Sequence, residues 1–100
     1  MNVLIICANG ISSGILAKKI EDELKLKESS STCIAASQLD LDEMIEGKDY
    51  ILVGPQLRIM FETLKNRVNG RVPISLIESV DYGQMNAKNI VKKIYKNIAE

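Results

Sequence analysis

The chain has 100 residues, 46% of them hydrophobic and 26% charged, which is enough apolar material for one buried core, so we expect a single domain over residues 1–100. Thirteen basic residues balance thirteen acidic ones, and a formal net charge of zero argues against nucleic acid or an anionic membrane surface as a partner. Histidine is absent, which excludes imidazole catalysis and the commonest metal ligand, and we expect no metal and no cofactor.

The first half of the chain alternates apolar runs with amphipathic stretches, which is typical of an α/β domain. Residues 2–6 predict a strand, and a helix is expected from residue 12 or 13 to residue 27. Residues 32–36 predict a second strand, and residues 39–45 a short helix closed by Gly47. The predicted inner face of the first helix consists of Ile15, Leu16, Ile20 and Leu24.

The second half continues the alternation. Residues 50–53 are continuously apolar, as expected of a parallel strand covered on both faces, and Pro55 suits the first turn of a helix that ends near residue 69. Residues 72–77 predict a fourth strand, in which Pro73 indicates a late start or a position at the sheet edge. A last helix is predicted over residues 82–99, with Asp81 most simply interpreted as its N-cap. The predicted buried positions of these two helices are Leu57, Met60, Phe61, Leu64 and Val68 in the first, and Ile90, Val91, Ile94, Tyr95 and Ile98 in the second.

Right-handed connections would assemble these units into a four-stranded parallel sheet with helices on both faces and strand order 2-1-3-4. The switch point of that order lies between the first and third strands. Cys7 and Gly54 follow the carboxyl ends of those two strands. We therefore expect the loop after Cys7 and the segment 55–58 to face one crevice.

The loop after Cys7 has the composition of an oxyanion cradle. A thiol between a strand and a helix N-terminus lies among backbone N–H groups and beside the positive end of the helix dipole, a setting that stabilises thiolates and bound oxyanions. Gly10 and Gly14 would let the main chain wrap around an anion, while Ser12 and Ser13 add hydroxyl donors, one of them as an N-cap. The loop is P-loop-like in this sense, although it lacks the Gly-Lys-Ser/Thr of nucleotide-binding loops. The predicted phosphate-binding residues are Ala8, Asn9, Gly10, Ile11, Ser12, Ser13 and Gly14.

The two cysteines are expected to differ in role. Cys7 and Cys33 have neither CxxC spacing nor the density of a secreted disulfide-rich domain, so we expect free thiols in a reducing cytoplasm. Cys33 lies inside an apolar strand and is interpreted as structural. Only Met1 and Asn2 precede the apolar run before Cys7, so we expect no lipoprotein signal, and no stretch approaches the roughly 18 to 20 apolar residues of a membrane span.

Three motifs together resemble a known family. The Cys7 loop after an N-terminal strand, the segment Gly54-Pro55-Gln56-Leu57-Arg58 after the third strand and Asp81-Tyr82-Gly83 after the fourth are similar to the IIB component of the bacterial sugar phosphotransferase system (PTS), lactose/cellobiose family. The resemblance covers essentially the whole chain and implies a topology similar to that of the low-molecular-weight phosphatases.

The resemblance also implies a mechanism and partners. Cys7 matches the position that accepts a phosphoryl group from a phosphohistidine of the IIA protein and passes it to a sugar bound by the membrane IIC component. Docking is expected to be transient and the domain monomeric, with Ile11 and Leu57 presenting apolar atoms around Cys7. Further candidates for partner or crevice contacts are Gln56, Leu57, Arg58, Asp81 and Tyr82.

Two alternatives remain open at this point. A low-molecular-weight cysteine phosphatase shares the strand-Cys-loop-helix layout, but such enzymes use Cys-x5-Arg-Ser/Thr, and Ser13 stands at the arginine position here. A regulatory binding domain, in which phosphorylation of Cys7 is a mark rather than a transfer step, is the noncatalytic alternative. A receiver domain is disfavoured because Asp49 precedes its strand instead of ending it.

Overall fold

A single parallel sheet forms the centre of the molecule. The computed structural model describes residues 1–8 and 11–99, with the backbone alone for Ile11 and Ser12. Its strands are β1 (Asn2–Cys7), β2 (Thr32–Ser37), β3 (Tyr50–Val53) and β4 (Ile74–Leu76). Neighbouring strands are all parallel and follow the order β2-β1-β3-β4. The predicted fold class and strand order are therefore confirmed.

Helices and short 3₁₀ turns connect the strands. The helices are α1 (Ile11–Lys25), α2 (Leu41–Met44), α3 (Phe61–Val68), α4 (Ser79–Gly83) and α5 (Ala87–Ala99). The 3₁₀ turns Gln38–Asp40 and Pro55–Met60 lead into α2 and α3, so parts of the predicted second and third helices are 3₁₀ rather than α. Within the described parts of the chain, no helix combines the length and apolar character needed to cross a lipid bilayer.

Strand β1 is buried on both faces because the protein has two cores. Val3 and Ile5 pack with residues of α1 and α5, while Leu4 and Ile6 pack with residues of α2 and α3. All four side chains are 0% exposed. This arrangement explains why β1 reads as a continuous apolar run instead of alternating with polar residues.

Polar groups at the amino end of β1 fix its register against both neighbours. Thr32 Oγ1 donates to Asn2 Oδ1 at 2.8 Å, which ties β1 to β2. On the other side, the Asn2 amide donates to Asp49 Oδ2 and the Asp49 amide donates to the Asn2 carbonyl, both at 2.7 Å. A slip of one residue would break all three hydrogen bonds, so the position of the carboxyl end of β1 is determined.

The inner face of α1 lacks one of the predicted residues and includes two others. Leu16, Ile20 and Leu24 are buried as expected, but Ile15 is 57% exposed. Ser13 and Ala17 are buried instead, because residues 13, 16, 17, 20 and 24 are separated by three or four positions and so lie on one stripe. Ile15 falls outside that stripe.

Strand β4 is shorter than predicted and lies at the sheet edge. It begins at Ile74, directly after Pro73, and pairs with β3 alone. Pro73 still contributes its carbonyl, which accepts a hydrogen bond from the Ile51 amide at 2.9 Å. The missing N–H of Pro73 explains why the three-residue strand starts only at Ile74. A proline is tolerated here because an edge strand has no second neighbour to pair with.

The last predicted helix is in fact two helices. α4 ends at Gly83, Met85 has a positive φ of 49°, and α5 begins at Ala87. The prediction that Asp81 is an N-cap is wrong, since Asp81 lies inside α4. Asn86 has that role for α5, because its Oδ1 accepts from the Asn89 amide at 3.1 Å, three positions along the chain.

A buried carboxylate joins the two helices. Asp81 is 4% exposed, and its oxygens accept from Asn89 Nδ2 at 2.9 Å and from Lys93 Nζ at 2.8 Å. The hydrogen bond from Lys93, together with the one from Asn89, lowers the pKa of Asp81 below its usual 3.8. The Asp81 carbonyl also accepts from the Asn86 amide at 2.8 Å, so both backbone and side chain of Asp81 hold α4 against α5.

Two leucines of opposite exposure test the core described above. Leu64 is 0% exposed and Leu39 is 83% exposed. We expect Leu64→Ala to lower the free energy of unfolding by about 2–5 kcal/mol, because it removes buried methyl groups and leaves a cavity. Leu39→Ala should change it by less than about 0.5 kcal/mol. Urea unfolding measured by circular dichroism checks both values, and equal losses would contradict this description of the core.

The ion pair between the buried Asp81 carboxylate and the partly exposed Lys93 predicts a pH dependence. Its pKa in the fold lies below the ordinary 3.8, so its stabilisation is complete above that value and is lost as the pH falls through the folded pKa. Asp81→Asn should therefore be less stable than the wild type at neutral pH, with a difference that shrinks in acid.

Urea midpoints at several pH values measure that difference. Asp22→Asn is the matched control, since the Asp22 side chain is 61% exposed in its ion pair with Lys18 and contributes little. A gap between wild type and Asp81→Asn that stays constant from neutral to acid pH would contradict the role assigned to the carboxylate.

Candidate active site

Cys7 lies at the switch point of the sheet, as predicted. It is the last residue of β1, between Ser37 of β2 and the end of β3. The Gly54 amide donates to the Ile6 carbonyl at 2.9 Å, and a Cβ added at Gly54 would lie 3.8 Å from Cys7 Cβ and 2.9 Å from Gln56 Oε1. The structure thus brings the Cys7 and Gly54 segments together, and a side chain at position 54 would have to displace only the flexible end of Gln56.

The Cys7 thiol is less accessible than the sequence predicted. Cys7 is 3% exposed, and its Sγ donates to the Ala36 carbonyl at 3.5 Å. Ala8, the next residue, is exposed. Attack by this sulfur on a phosphoryl group therefore requires Sγ to leave the Ala36 carbonyl and turn toward the loop.

Part of the predicted cradle lies outside the described residues, namely Asn9 and Gly10 and the side chains of Ile11 and Ser12. The backbone of α1 begins at Ile11, so the amides of its first turn lack partners within the helix and face the region that follows Cys7. These amides and the helix dipole favour an anion at that end. Residues 7–17 contain no lysine or arginine, which leaves the backbone as the principal source of positive potential in this stretch.

Two of the predicted loop residues have other roles. Ser13 is 1% exposed inside α1, and its Oγ lies 2.8 Å from the Tyr82 hydroxyl, so it is not the N-cap of the helix. Gly14 is also a helix residue, and none of the described atoms lies within 4 Å of a Cβ built there. Packing within the protein therefore does not require glycine at this position, and the role of Gly14 toward an anion stays a prediction.

The segment after β3 has an inward and an outward side. Leu57 is 6% exposed and packs in the core beside Leu64 and Val68, so the prediction that Leu57 presents apolar atoms around Cys7 is wrong. Gln56 and Arg58 are exposed, as expected of crevice or partner contacts. Ile59 is 95% exposed in the same 3₁₀ turn.

Asp81 and Tyr82 are neighbours in sequence but make different contacts. The carboxylate of Asp81 belongs to the ion pair with Lys93, and its lowered pKa opposes a role as a proton donor to a leaving group. Tyr82 is half-buried, and its hydroxyl reaches Ser13 in the first turn of α1. Through this contact Tyr82 is connected to the helix that starts at the Cys7 loop.

Sequence reasoning missed a set of exposed apolar side chains at the Cys7 edge. One lies early in α1, and the others follow the carboxyl ends of β2, β3 and β4. Their exposed fractions are 57% for Ile15, 83% for Leu39, 95% for Ile59 and 56% for Val80. We call these four residues the carboxyl-edge apolar set. A signal in the sequence exists for Ile15, which falls outside the stripe of residues 13, 16, 17, 20 and 24 in α1.

The sequence was compared with known protein families and proteins. It matches the family model described as "PTS system, Lactose/Cellobiose specific IIB subunit" over residues 2–93. A PTS galactose-specific EIIB component from Lactococcus lactis subsp. cremoris is 28% identical over 95 residues, covering 89% of this chain and 88% of the relative. A PTS cellobiose-specific EIIB component from Lactococcus lactis subsp. lactis has the same identity and coverage.

Two solved structures share the fold. The solution structure of a cellobiose-specific phosphotransferase IIB component protein from Borrelia burgdorferi has a TM-score of 0.73 and 31% identity, covering 92% of this chain and 85% of the other. The lactose-specific IIB component domain from Streptococcus pneumoniae has a TM-score of 0.79 over 96% of this chain and 95% of the other, and at 19% identity it supports the fold alone. The chain therefore belongs to the lactose/cellobiose-specific IIB subunits of the PTS.

Proposed function

We propose that this chain carries a phosphoryl group on Cys7 Sγ, which it receives from a phosphohistidine of a PTS IIA protein and passes to a sugar bound by the membrane IIC component. The observation that carries the proposal is the position of Cys7, which ends a central strand at the switch point and precedes the N-terminus of α1, whose first amides have no partner within the helix. In a member of this family, that position suits a nucleophile. The transfer would take place in the cytoplasm, without a cofactor or metal.

The proposed reaction has two displacement steps at phosphorus. In the first, Cys7 Sγ gives up its proton and attacks, an S–P bond forms, and the P–N bond breaks with its electron pair left on the imidazole nitrogen, which can take up the proton. In the second, a sugar hydroxyl attacks, an O–P bond forms, and the sulfur leaves as thiolate while the hydroxyl proton is released. Both steps depend on alignment and on stabilising charge on the phosphoryl oxygens. The amides at the start of α1 supply that stabilisation together with the proposed contacts from residues 8–14.

The second cysteine is a poor nucleophile by comparison. Cys33 is 6% exposed near the amino end of β2. Burial, with a further contribution from the Glu21 carboxylate, raises the pKa of the Cys33 thiol from 9.0 to about 12. A thiol held in its neutral form does not attack phosphorus, which supports Cys7 as the acceptor.

The carrier role is better supported than a phosphatase role. A cysteine phosphatase needs a guanidinium at position 13 to grip the phosphate, but Ser13 is buried there and its hydroxyl is paired with Tyr82. Asp81 is held as a carboxylate by Lys93, so it does not offer a general acid.

The carboxyl-edge apolar set supports docking at the Cys7 edge. A domain that meets IIA and then IIC needs one surface around the sulfur that both partners can cover and leave. Exposed apolar side chains rimmed by polar ones suit such a transient interface between monomers. Gln56 and Arg58 are exposed beside Ile59 and would contribute polar contacts there.

A pair of cysteine variants tests the acceptor. We expect Cys7→Ala to abolish phosphoryl labelling by a phospho-IIA donor of the lactose/cellobiose type, and Cys33→Ala to retain it, because only Cys7 lies at the helix N-terminus. Mass spectrometry of peptides from the labelled wild type should place one phosphoryl group on Cys7. A membrane preparation containing IIC and sugar should then remove the label and yield sugar phosphate.

Two outcomes would contradict the proposal. Labelling that persists in Cys7→Ala would remove the acceptor role. Labelling of Cys7 without transfer to any sugar offered with IIC would favour the regulatory alternative.

Two exposed leucines test the docking surface. Leu39 belongs to the carboxyl-edge apolar set, whereas Leu26 is 79% exposed just beyond the C-terminus of α1, at the opposite edge of the sheet. We expect Leu39→Asp to raise the KM for phospho-IIA about fivefold or more, because a charge would be desolvated in the interface. Leu26→Asp adds the same charge and should leave KM unchanged. Equal KM values for the two variants in steady-state transfer assays would show that the partner docks elsewhere.

A further inference from the structure

We infer that Tyr82 is a positioning residue for phosphoryl transfer, acting through Ser13 on the first turn of α1. The inference rests on the proposed function of Cys7. The Tyr82 hydroxyl and Ser13 Oγ are 2.8 Å apart and belong to residues separated by 69 positions. This hydrogen bond connects α4, which follows β4, to α1, the helix that begins at the Cys7 loop.

The Ser13 side chain is enclosed at this contact. Ser13 is 1% exposed and lies in the first turn of α1, whose amides face the region after Cys7. A buried hydroxyl needs its hydrogen-bond partner, because an unpaired one carries a desolvation penalty. Tyr82 therefore fixes the direction of the Ser13 hydroxyl, and with it the placement of the helix turn that offers backbone donors to the phosphoryl group.

Tyr82 is itself held on a rigid base. Its amide donates to the Glu78 carbonyl at 3.0 Å, and its carbonyl accepts from the Met85 amide at 3.1 Å. The adjacent Asp81 is locked to α5 by Asn89 and Lys93. The ring of Tyr82 packs against the core that α1 and α5 share.

A series of contacts links α5 to the first turn of α1. α5 holds Asp81, α4 carries Tyr82 next to it, and Tyr82 holds Ser13 in the first turn of α1. Donors that stabilise a transferring phosphoryl group must be placed within about half an ångström of their productive positions. Loss of the Tyr82 hydroxyl would relax that placement, so the chemical step should slow while docking of the donor is unchanged.

Single and double variants test the inference. Tyr82→Phe removes the hydroxyl and keeps the ring, and Ser13→Ala removes its partner. Tyr95→Phe is the matched control, since the Tyr95 hydroxyl donates to Glu28 just beyond the other end of α1. The rate of Cys7 phosphorylation is measured against the concentration of phospho-IIA to separate kcat from KM, and urea unfolding of each variant follows its stability.

Tyr82→Phe is expected to lower kcat about tenfold with KM within about twofold of the wild type, as for a misplaced catalytic group. The double variant should be within about twofold of Ser13→Ala alone, because the two residues act through one contact. Tyr95→Phe should keep the wild-type kcat. Amide exchange in the first turn of α1 should also rise in Tyr82→Phe and stay unchanged in Tyr95→Phe.

The failures can be told apart. A wild type that takes no label on Cys7 overturns the proposed function and this inference with it. A labelled wild type whose kcat survives Tyr82→Phe overturns the inference alone. A double variant whose loss of kcat equals the product of the two single losses also overturns the inference. The same holds if Tyr95→Phe shows the same loss of kcat as Tyr82→Phe at equal stability.

Discussion

Burial of β1 on both faces is the constraint on which the candidate site depends. Its side chains alternate between two cores, and Asn2 binds Thr32 on one side and Asp49 on the other, so the strand can neither rotate nor slip. The hydrophobic effect thereby fixes the position of Cys7 at the end of the apolar run, where the chain leaves the sheet. The same edge receives Gly54 from β3 and the start of α1.

The two thiols are both buried but lie at opposite edges of one sheet, and the proposed function assigns them different roles. Cys7 stands at the carboxyl edge, where a helix begins and the first amides have no partner within that helix. Cys33 stands near the opposite edge, where burial and the Glu21 carboxylate favour its neutral form. The backbone amides at the start of α1 act without a basic side chain beside Cys7, since residues 7–17 contain no lysine or arginine. An acceptor built on backbone donors can hold a phosphoryl group without an ion pair that would have to be broken before the next transfer.

The amino-acid pattern was sufficient for the strands, their order and the meeting of Cys7 with Gly54, because continuous apolar runs and short connections leave few arrangements. It failed where tertiary contacts decide. Leu57 looked available for a partner but fills the core, and the last helix was expected to be continuous although Met85 breaks it. Asp81 was interpreted as a cap because it precedes the predicted last helix. Its actual partners, Asn89 and Lys93, meet it only when α5 folds back. Nothing local to residue 13 indicates that its hydroxyl meets Tyr82.

The brevity of β4 has a consequence for the protein in a crowded solution. An open sheet edge is a template for adding strands from other molecules, and such pairing leads to aggregation. The β4 edge has three residues after a proline, which offers too few hydrogen bonds for stable pairing with a strand of another molecule. Strand pairing by other molecules is thus discouraged along the β4 flank of the sheet, whereas the opposite edge is formed by β2 with six residues.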